Sequence, residues 1–257
     1  MGIPTLIQEQ NAIPGVTNRI LARFVRKIAA GYGESREYFN NPKKVVITGN
    51  PIRPEIVSTK RLDGIKTMSL RSTRKTLLVF GASQGSKKIN NVMLEAICSI
   101  KDMRGLQVIW VTGHHDYDRI TAQINGERGI EKASYGNIII KPYIDNMEYA
   151  YAACDYVICR GGAISLAEIT ARGIPAIVVP YPYATDNHQE HNARALSKHG
   201  AAFMILDKDL TAEKLMENVK LLVENPQKVK EMKRSSHAMG KPNATEKIVN
   251  LINEMLI

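Results

Sequence analysis

The chain has 257 residues, 44% of them hydrophobic and 23% charged, which is enough for one large or two modest domains and unlike the composition of a disordered chain. No apolar stretch approaches the roughly 20 residues that a membrane-spanning helix needs. The formal charge of +10 favours anionic partners such as phosphates, nucleic acid or acidic lipid headgroups, without choosing among them.

In chain order, TLIQ (5–8), KIAAGY (27–32) and VVITGN (45–50) are predicted strands, with a helix over TNRILARFVRK (17–27) between the first two. That is too little for a domain, so the chain is expected to start partway through one. STKRLDGIKTMSLRSTRK (58–75) then holds Lys60, Arg61, Lys66, Arg71, Arg74 and Lys75 against one acid, Asp63. Without interleaved aromatics it reads as a solvated linker in preference to a nucleic-acid arm.

From residue 76 short apolar runs alternate with amphipathic stretches. TLLVFG (76–81), QVIWVTG (107–113), NIIIKPYI (137–144), DYVIC (155–159), PAIVVPYP (175–182) and AAFMIL (201–206) are predicted strands. Helices are predicted through KKINNVMLEAICSI (87–100) and near 116–125, 145–153, 164–172 and 187–198. Strands that are apolar throughout suit a parallel sheet covered on both faces, and the repeated βαβ order predicts a doubly wound α/β domain. Helical stretches within 209–226 and 227–239 precede a last one, ATEKIVNLINEML (244–256), whose Ile248, Leu251, Ile252 and Met255 need a surface to cover them.

In such sheets ligands bind beyond the carboxyl ends of the strands, where the strand order reverses. Here those ends read GASQGS (81–86), TGHHD (112–116), PYID (142–145), RGGAIS (160–165) and PYPYATDNHQ (180–189). GASQGS either turns backbone N–H groups toward a phosphate or is a plain turn whose Ser83 or Ser86 caps the next helix. It fits neither P-loop nor dinucleotide-fingerprint spacing. RGGAISLAE repeats the geometry: Gly161 and Gly162 permit close backbone approach, and Glu168 either accepts hydrogen bonds from a ribose diol or stands in solvent.

Other polar residues carry weaker signals. His188 and His191 lie one helical turn apart but lack a third ligand, so hydrogen bonding by His188 and Gln189 near a helix start is preferred to a metal. DKD (207–209) is read as a helix cap in preference to a metal-diphosphate chelator, and His114 and His115 are given no role. Cys98, Cys154 and Cys159, odd in number and without CxxC spacing, are read as reduced core thiols of a cytoplasmic protein. MGIPTLIQEQ has no secretory leader pattern.

Taken together, EQNAIPGVTNRILARF, VITGNPIRPEI, LLVFGASQGSKKIN, PYIDNMEYAYAACDYVICRGGAISLAEITARGIPAIVVPYPYATDNHQEHNARAL and GAAFMI resemble one family. It is the MurG family of bacterial UDP-N-acetylglucosamine:lipid-linked muramyl-pentapeptide N-acetylglucosaminyltransferases, and the likeness runs in order across nearly the whole chain. The resemblance implies a GT-B-type fold of two Rossmann-like, doubly wound α/β domains, with the donor held mainly by the second. Residues 1–51 would be a remnant of the amino-terminal acceptor domain, 52–238 the UDP-sugar domain, and 239–257 a carboxy-terminal helix packing back on the first. The sequence departs from the family at Gln8, where His usually stands, and in lacking the amino-terminal glycine loop and the domain that carries the acceptor site and the usual base.

Carried over by position, the family's donor contacts fall on Asn11, Arg53, Ser83, Ile144, Ala163, Ile164, Ser165, Leu166, Ala167, Glu168 and Gln189. The resemblance gives Arg53 and Ser83 to the diphosphate, the Ile144 backbone to uracil, Glu168 to the ribose, and Gln189 with Asn11 to the sugar. The implied reaction is inverting transfer of N-acetylglucosamine to the 4-hydroxyl of N-acetylmuramic acid on undecaprenyl diphosphate. No metal or other cofactor is implied, and the general base is expected outside this chain, which would be inactive alone. The implied partners are UDP-N-acetylglucosamine, the undecaprenyl-diphosphate-linked muramyl-pentapeptide, and the missing amino-terminal domain or a separate chain supplying it, with no nucleic acid. The implied location is peripheral, on the cytoplasmic face of the bacterial cell membrane. The alternatives are a UDP-sugar-binding subunit of a two-chain glycosyltransferase and the scaffold of UDP-N-acetylglucosamine 2-epimerases, against which NAIPGVTNR and DNHQEHNA argue.

Overall fold

In the computed structural model, which describes residues 2–82, 84–126 and 134–256, the chain forms two sheets. The first is parallel, in the order β1 (Leu6–Glu9), β2 (Lys27–Ala30), β3 (Val45–Ile47), with α1 (Val16–Leu21) joining β1 to β2. α2 (Glu55–Ser58) and α3 (Arg61–Thr67) lead into the second sheet. The chain continues through β4 (Lys75–Phe80), α4 (Lys87–Asp102), β5 (Leu106–Val111), α5 (His114–Gly126), β6 (Ser134–Tyr135), β7 (Ile138–Lys141) and α6 (Met147–Ala153). It ends with β8 (Tyr156–Cys159), α7 (Ala163–Ala171), β9 (Ala176–Val178), α8 (His188–Lys198), β10 (Ala202–Met204), α9 (Ala212–Glu224), α10 (Pro226–Met239) and α11 (Ala244–Leu256).

The second sheet runs β10-β9-β8-β4-β5-β7-β6 and is parallel except at β6, a two-residue edge strand that the sequence pattern did not announce. The continuous apolar runs have the expected cause: on β4, Leu77 and Val79 point into a core with Met93, Trp110, Leu215 and Val219, while Leu78 and Phe80 point into a second core with Tyr151, Leu166, Ile169 and Leu196. Helices cover both faces, as a doubly wound sheet requires. The chain adds β5 and β7 on one side of β4 and then returns with β8 on the other. The strand order therefore reverses between β4 and β8, where such sheets open a crevice at their carboxyl edge.

Four expectations need correction. The segment 58–75 is not a solvated linker: Gly64 of α3 lies so close to α6 that a Cβ would strike the Tyr149 carbonyl, and Arg61 reaches the Ala153 carbonyl at 2.9 Å and the Asp155 carboxylate at 2.9 Å. The helix expected over 17–27 stops at Leu21: the Arg26 N–H turns to the Thr5 carbonyl at 2.9 Å, and the Lys44 ammonium satisfies the freed Ala22 and Arg23 carbonyls at 3.1 and 3.2 Å. Cys98 is exposed, while Cys154 and Cys159 are buried as expected. DKD caps no helix: Thr211 caps α9 by accepting the Lys214 N–H at 3.2 Å, and Asp207 turns to a buried arginine described below. At the far end, Arg26 donates to the Met255 carbonyl of α11 at 3.1 Å, tying that helix to the loop before β2.

Candidate functional site

The carboxyl ends of β4, β8, β9 and β10 are drawn together by Arg160, which ends the apolar strand β8 and is itself buried. Its Nη2 donates to Ser86 Oγ at 2.7 Å, and its Nη1 donates to the Val179 and Pro180 carbonyls at 3.3 and 3.2 Å and to the Asp207 carboxylate. Tyr181 lies under the guanidinium, its ring centroid 5.4 Å away. A guanidinium in this position needs all of these partners, because a buried unpaired charge costs several kcal/mol. Ser86 also caps α4, accepting the Ile89 N–H at 3.4 Å, so the capping reading of GASQGS holds for Ser86. Ser83 lies outside the described residues.

The two glycines after Arg160 do different work. A Cβ on Gly161 would run into the Gln189 carbonyl, so Gly161 lets α8 close on the loop. A Cβ on Gly162 would meet only Ser165 Oγ, at 4.0 Å, and Gly162 precedes α7 without a side-chain cap. The first N–H groups of α7, on Ala163, Ile164 and Ser165, thus form an uncapped helix start, where anions are favoured. Leu166 is fully buried and Ala163 nearly so, so any contribution of theirs to a ligand is through the backbone. Ile164 is exposed, and Ala167 faces a separate 620 Å³ cleft shared with Tyr32 and Asn50 of the loops after β2 and β3. Ile144, in the loop after β7, is buried in the Tyr151 core, leaving only its backbone to the surface.

Gln189 sits at the start of α8. Its Oε1 accepts the Gly161 and Tyr181 N–H groups, both at 3.0 Å, which fixes the amide while its Nε2 bonds to no described residue. One turn on, fully buried Asn192 accepts the Ala12 N–H at 2.9 Å and donates to Asn11 Oδ1 at 3.0 Å and to the Gly161 carbonyl at 3.2 Å. That side chain brings the loop after β1, with Asn11, onto the RGG turn that Gln189 also holds. Gln8, in the position where a histidine was expected, donates to Asn50 Oδ1 at 3.0 Å.

Glu168 lies on the other flank of α7, toward α6. The buried Tyr151 hydroxyl is its hydrogen-bond partner, and Arg53 and Glu148 are close enough to act on its charge. Arg53 donates to Glu148 Oε2 at 3.0 Å. Burial lifts the Glu168 carboxyl above its ordinary value; the Tyr151 bond and Arg53 pull it down without reversing the shift, and Glu148 adds to the rise. Burial, with the nearby Glu168 charge, likewise pushes the Tyr151 hydroxyl well above 10.0, so it stays a donor.

The candidate residues thus fall into two groups along α7. Asn11 and Gln189 gather at its start, and Arg53 and Glu168 gather on its α6 side. Arg160, Asn192, Tyr151 and Glu148 were missed from the sequence. For Arg160 a signal existed, a cation closing an apolar strand before two glycines; for Asn192, whose partner Ala12 is 180 residues away, there was none. Among the described residues no group of three His, Cys, Asp or Glu side chains is placed to hold a metal, and His188 lies 4.0 Å from Asp186.

Comparison with known proteins matches residues 76–248 to the glycosyltransferase family 28 C-terminal domain. The UDP-N-acetylglucosamine--N-acetylmuramyl-(pentapeptide) pyrophosphoryl-undecaprenol N-acetylglucosamine transferase of Desulforamulus reducens is 45% identical over 255 residues, which is 99% of this chain and 68% of its own length. The protein of the same name from Halothermothrix orenii is 47% identical over 254 residues, 98% of this chain and 68% of its own length. Among solved structures, MurG of Acinetobacter baumannii matches with a TM-score of 0.75 at 28% identity, covering 98% of this chain and 68% of that one. The UDP-GlcNAc 2-epimerase of Neisseria meningitidis bound to UDP-GlcNAc matches with a TM-score of 0.69 at 14% identity, covering 98% of this chain and 70% of that one, a likeness of fold alone. The identity with the two transferases is sustained from one end of the sequence to the other, and the chain belongs to the MurG family, carrying its family 28 glycosyltransferase domain.

Proposed function

We propose that this chain binds UDP-N-acetylglucosamine at the β4–β8 crevice and serves the transfer of its sugar to the 4-hydroxyl of N-acetylmuramic acid in the muramyl-pentapeptide undecaprenyl-diphosphate lipid, a step of peptidoglycan synthesis. The observation that carries this reading is the convergence on α7 of an uncapped helix start, an amide with free donors on Gln189, and a desolvated carboxylate on Glu168. In this reading the N–H groups of Ala163, Ile164 and Ser165, with Ser83 and the nearby Arg53, take the diphosphate. The Ile144 backbone meets uracil, Glu168 accepts the ribose hydroxyls, and Gln189 with Asn11 orients the sugar.

In the transfer, a base removes the proton of the acceptor hydroxyl, whose oxygen attacks the anomeric carbon from the face opposite UDP. The bond from that carbon to the diphosphate oxygen breaks with inversion, and UDP leaves with the electron pair. Its growing charge is met by the α7 dipole and Arg53, so no metal is required. Glu168 is the single carboxylate among the assigned residues and is committed to Tyr151 and the ribose, so none of them is free to act as the base. The 257 residues alone are therefore expected to hold the donor without transferring it until groups on the acceptor side are supplied. Ile20, Leu21 and Phe24 are exposed beside Arg19 and Arg23, a combination suited to an anionic lipid surface and to peripheral work on the cytoplasmic face of the membrane. No described helix is long and apolar enough to cross it.

Acidification tests this directly. Glu168 must be ionised to accept from two hydroxyls, and its raised value places the loss of UDP-N-acetylglucosamine affinity in a window starting above 4.5. The donor's diphosphate, esterified on both sides, does not titrate there. A carboxyl raised in the folded state binds its proton more tightly folded than unfolded, so in the same window the fold gains stability from this group while binding weakens. Calorimetric titrations carried from pH 7 down through 4.5 are expected to show affinity falling without any drop in melting temperature from this group. Affinity constant across that range would overturn the role of Glu168.

A further inference from the structure

At the opposite end of the seven-stranded sheet from the crevice, the turn before β4 carries Arg71 and Arg74. The backbone of Arg71 is held on both sides by buried Gln107: its N–H donates to Gln107 Oε1 at 3.0 Å, and Gln107 Nε2 donates to its carbonyl at 2.9 Å and to Thr76 Oγ1 at 3.0 Å. The Arg74 N–H then closes the turn onto the Arg71 carbonyl at 3.2 Å. Two arginines thus project from one pinned turn. They line a cleft of 420 Å³ with Asn137 and Lys141, and a contiguous one of 280 Å³ that adds Lys101 and Arg104.

One carboxylate, Asp102, lines these clefts. Among the described residues no ion pair engages Arg71, Arg74, Arg104 or Lys141, whereas Lys75, next along the chain, is paired with Asp155. Lys101 lies in the last turn of α4 and Arg104 just beyond it, where the helix dipole alone favours cations. Arg71, Arg74 and Lys141 have no such reason to be there, and a buried glutamine spends both ends of its amide fixing the turn that bears two of them. Guanidinium groups on a rigid backbone lose little freedom on binding, match phosphate oxygens two at a time, and in a concave wall act in a focused field.

We propose that this cleft is a second anion site, separate from the donor site, which takes a phosphate or diphosphate group. The test uses the 257-residue chain saturated with UDP, so that the donor crevice is filled, and compares it with Arg71→Gln/Arg74→Gln and with Lys141→Gln. In one arm inorganic pyrophosphate is titrated by calorimetry; in the other, cosedimentation with phosphatidylglycerol vesicles is measured. Pyrophosphate binding that weakens at least tenfold in the double variant, with melting temperature and UDP-N-acetylglucosamine affinity unchanged, identifies a soluble phosphate compound as the ligand. Vesicle binding that drops in the double variant, with no pyrophosphate bound, identifies a lipid headgroup. Should the double variant fail to fold, Lys141→Gln carries the same comparison. If pyrophosphate does not bind beside UDP and vesicle binding is the same in wild type and variants, the proposal is overturned.

Discussion

Replacing Asp155 by alanine is expected to destabilise the chain by about 2–4 kcal/mol and to lower its melting temperature by on the order of 5–15 °C. The Asp155 carboxylate, 5% exposed, accepts the buried Thr76 N–H at 2.9 Å, Arg61 at 2.9 Å and Lys75 at 3.3 Å. Without it the Thr76 N–H has no partner inside the sheet, an orphaned donor worth about 1–3 kcal/mol. Arg61 and Lys75 are 40% and 58% exposed, so water and salt compensate much of their loss, which keeps the total below that of a fully enclosed ion pair. Burial pushes the Asp155 carboxyl up, but the Thr76 bond, Arg61 and Lys75 together hold it below 3.8. A value lowered in the folded state means stability that is fully present above 3.8 and lost as pH falls through the folded value. Urea denaturation should therefore show a wild-type advantage that persists at pH 5 and shrinks only below pH 4. Asp155→Asn, which keeps one acceptor for Thr76, should fall between the two; equal stability of wild type and alanine variant at neutral pH would contradict this role.

Glu168→Ala is expected to weaken UDP-N-acetylglucosamine binding about 100-fold. A carboxylate accepting from both ribose hydroxyls makes two charge-assisted hydrogen bonds of about 1.5–3 kcal/mol each, and roughly 3 kcal/mol is about two decades in affinity. The alanine variant also strands the Tyr151 hydroxyl, which is fully enclosed and has Glu168 as its partner, so a loss of stability accompanies it. Glu168→Gln separates the two effects, because its Oε1 still accepts from Tyr151 while the charge and one acceptor are gone. Binding weakened in both variants, with the melting temperature depressed chiefly in alanine, is the expected pattern. Binding unchanged in Glu168→Gln would leave Glu168 a structural partner of Tyr151 and nothing more.

The order of strands and helices from residue 76 onward was legible because each apolar run had to be buried on both faces, and β4 does bury Leu77 and Val79 on one side and Leu78 and Phe80 on the other. The crevice was legible for the same reason: glycines and polar residues cluster just beyond the carboxyl ends of strands that are otherwise almost wholly apolar. What escaped was set by contacts distant in sequence. Arg160 meets Asp207 across 47 residues and Asn192 meets Ala12 across 180, and no local pattern encodes either pair. Segment 58–75 was misread because its charge hides Gly64, whose missing side chain is what lets α3 lie on α6. The carboxylate of DKD was assigned to a cap on local grounds, while Thr211, four residues beyond Asp207, does the capping. The resemblance supplied the site residues and the roles proposed for them; what the packing of α6 and α8 on α7 adds is their placement, Gln189 at the start of α7 and Glu168 on its α6 side.

The central claim is that these residues hold UDP-N-acetylglucosamine in particular, and a calorimetric titration of the 257-residue chain tests it most directly. UDP-N-acetylglucosamine is expected to bind at one site, more tightly than UDP-glucose or ADP-glucose, with the preference over UDP-glucose lost in Gln189→Ala and affinity for all UDP compounds weakened about 100-fold in Glu168→Ala. No binding, or equal binding of all three nucleotide sugars, would contradict the assignment of this crevice as the donor site.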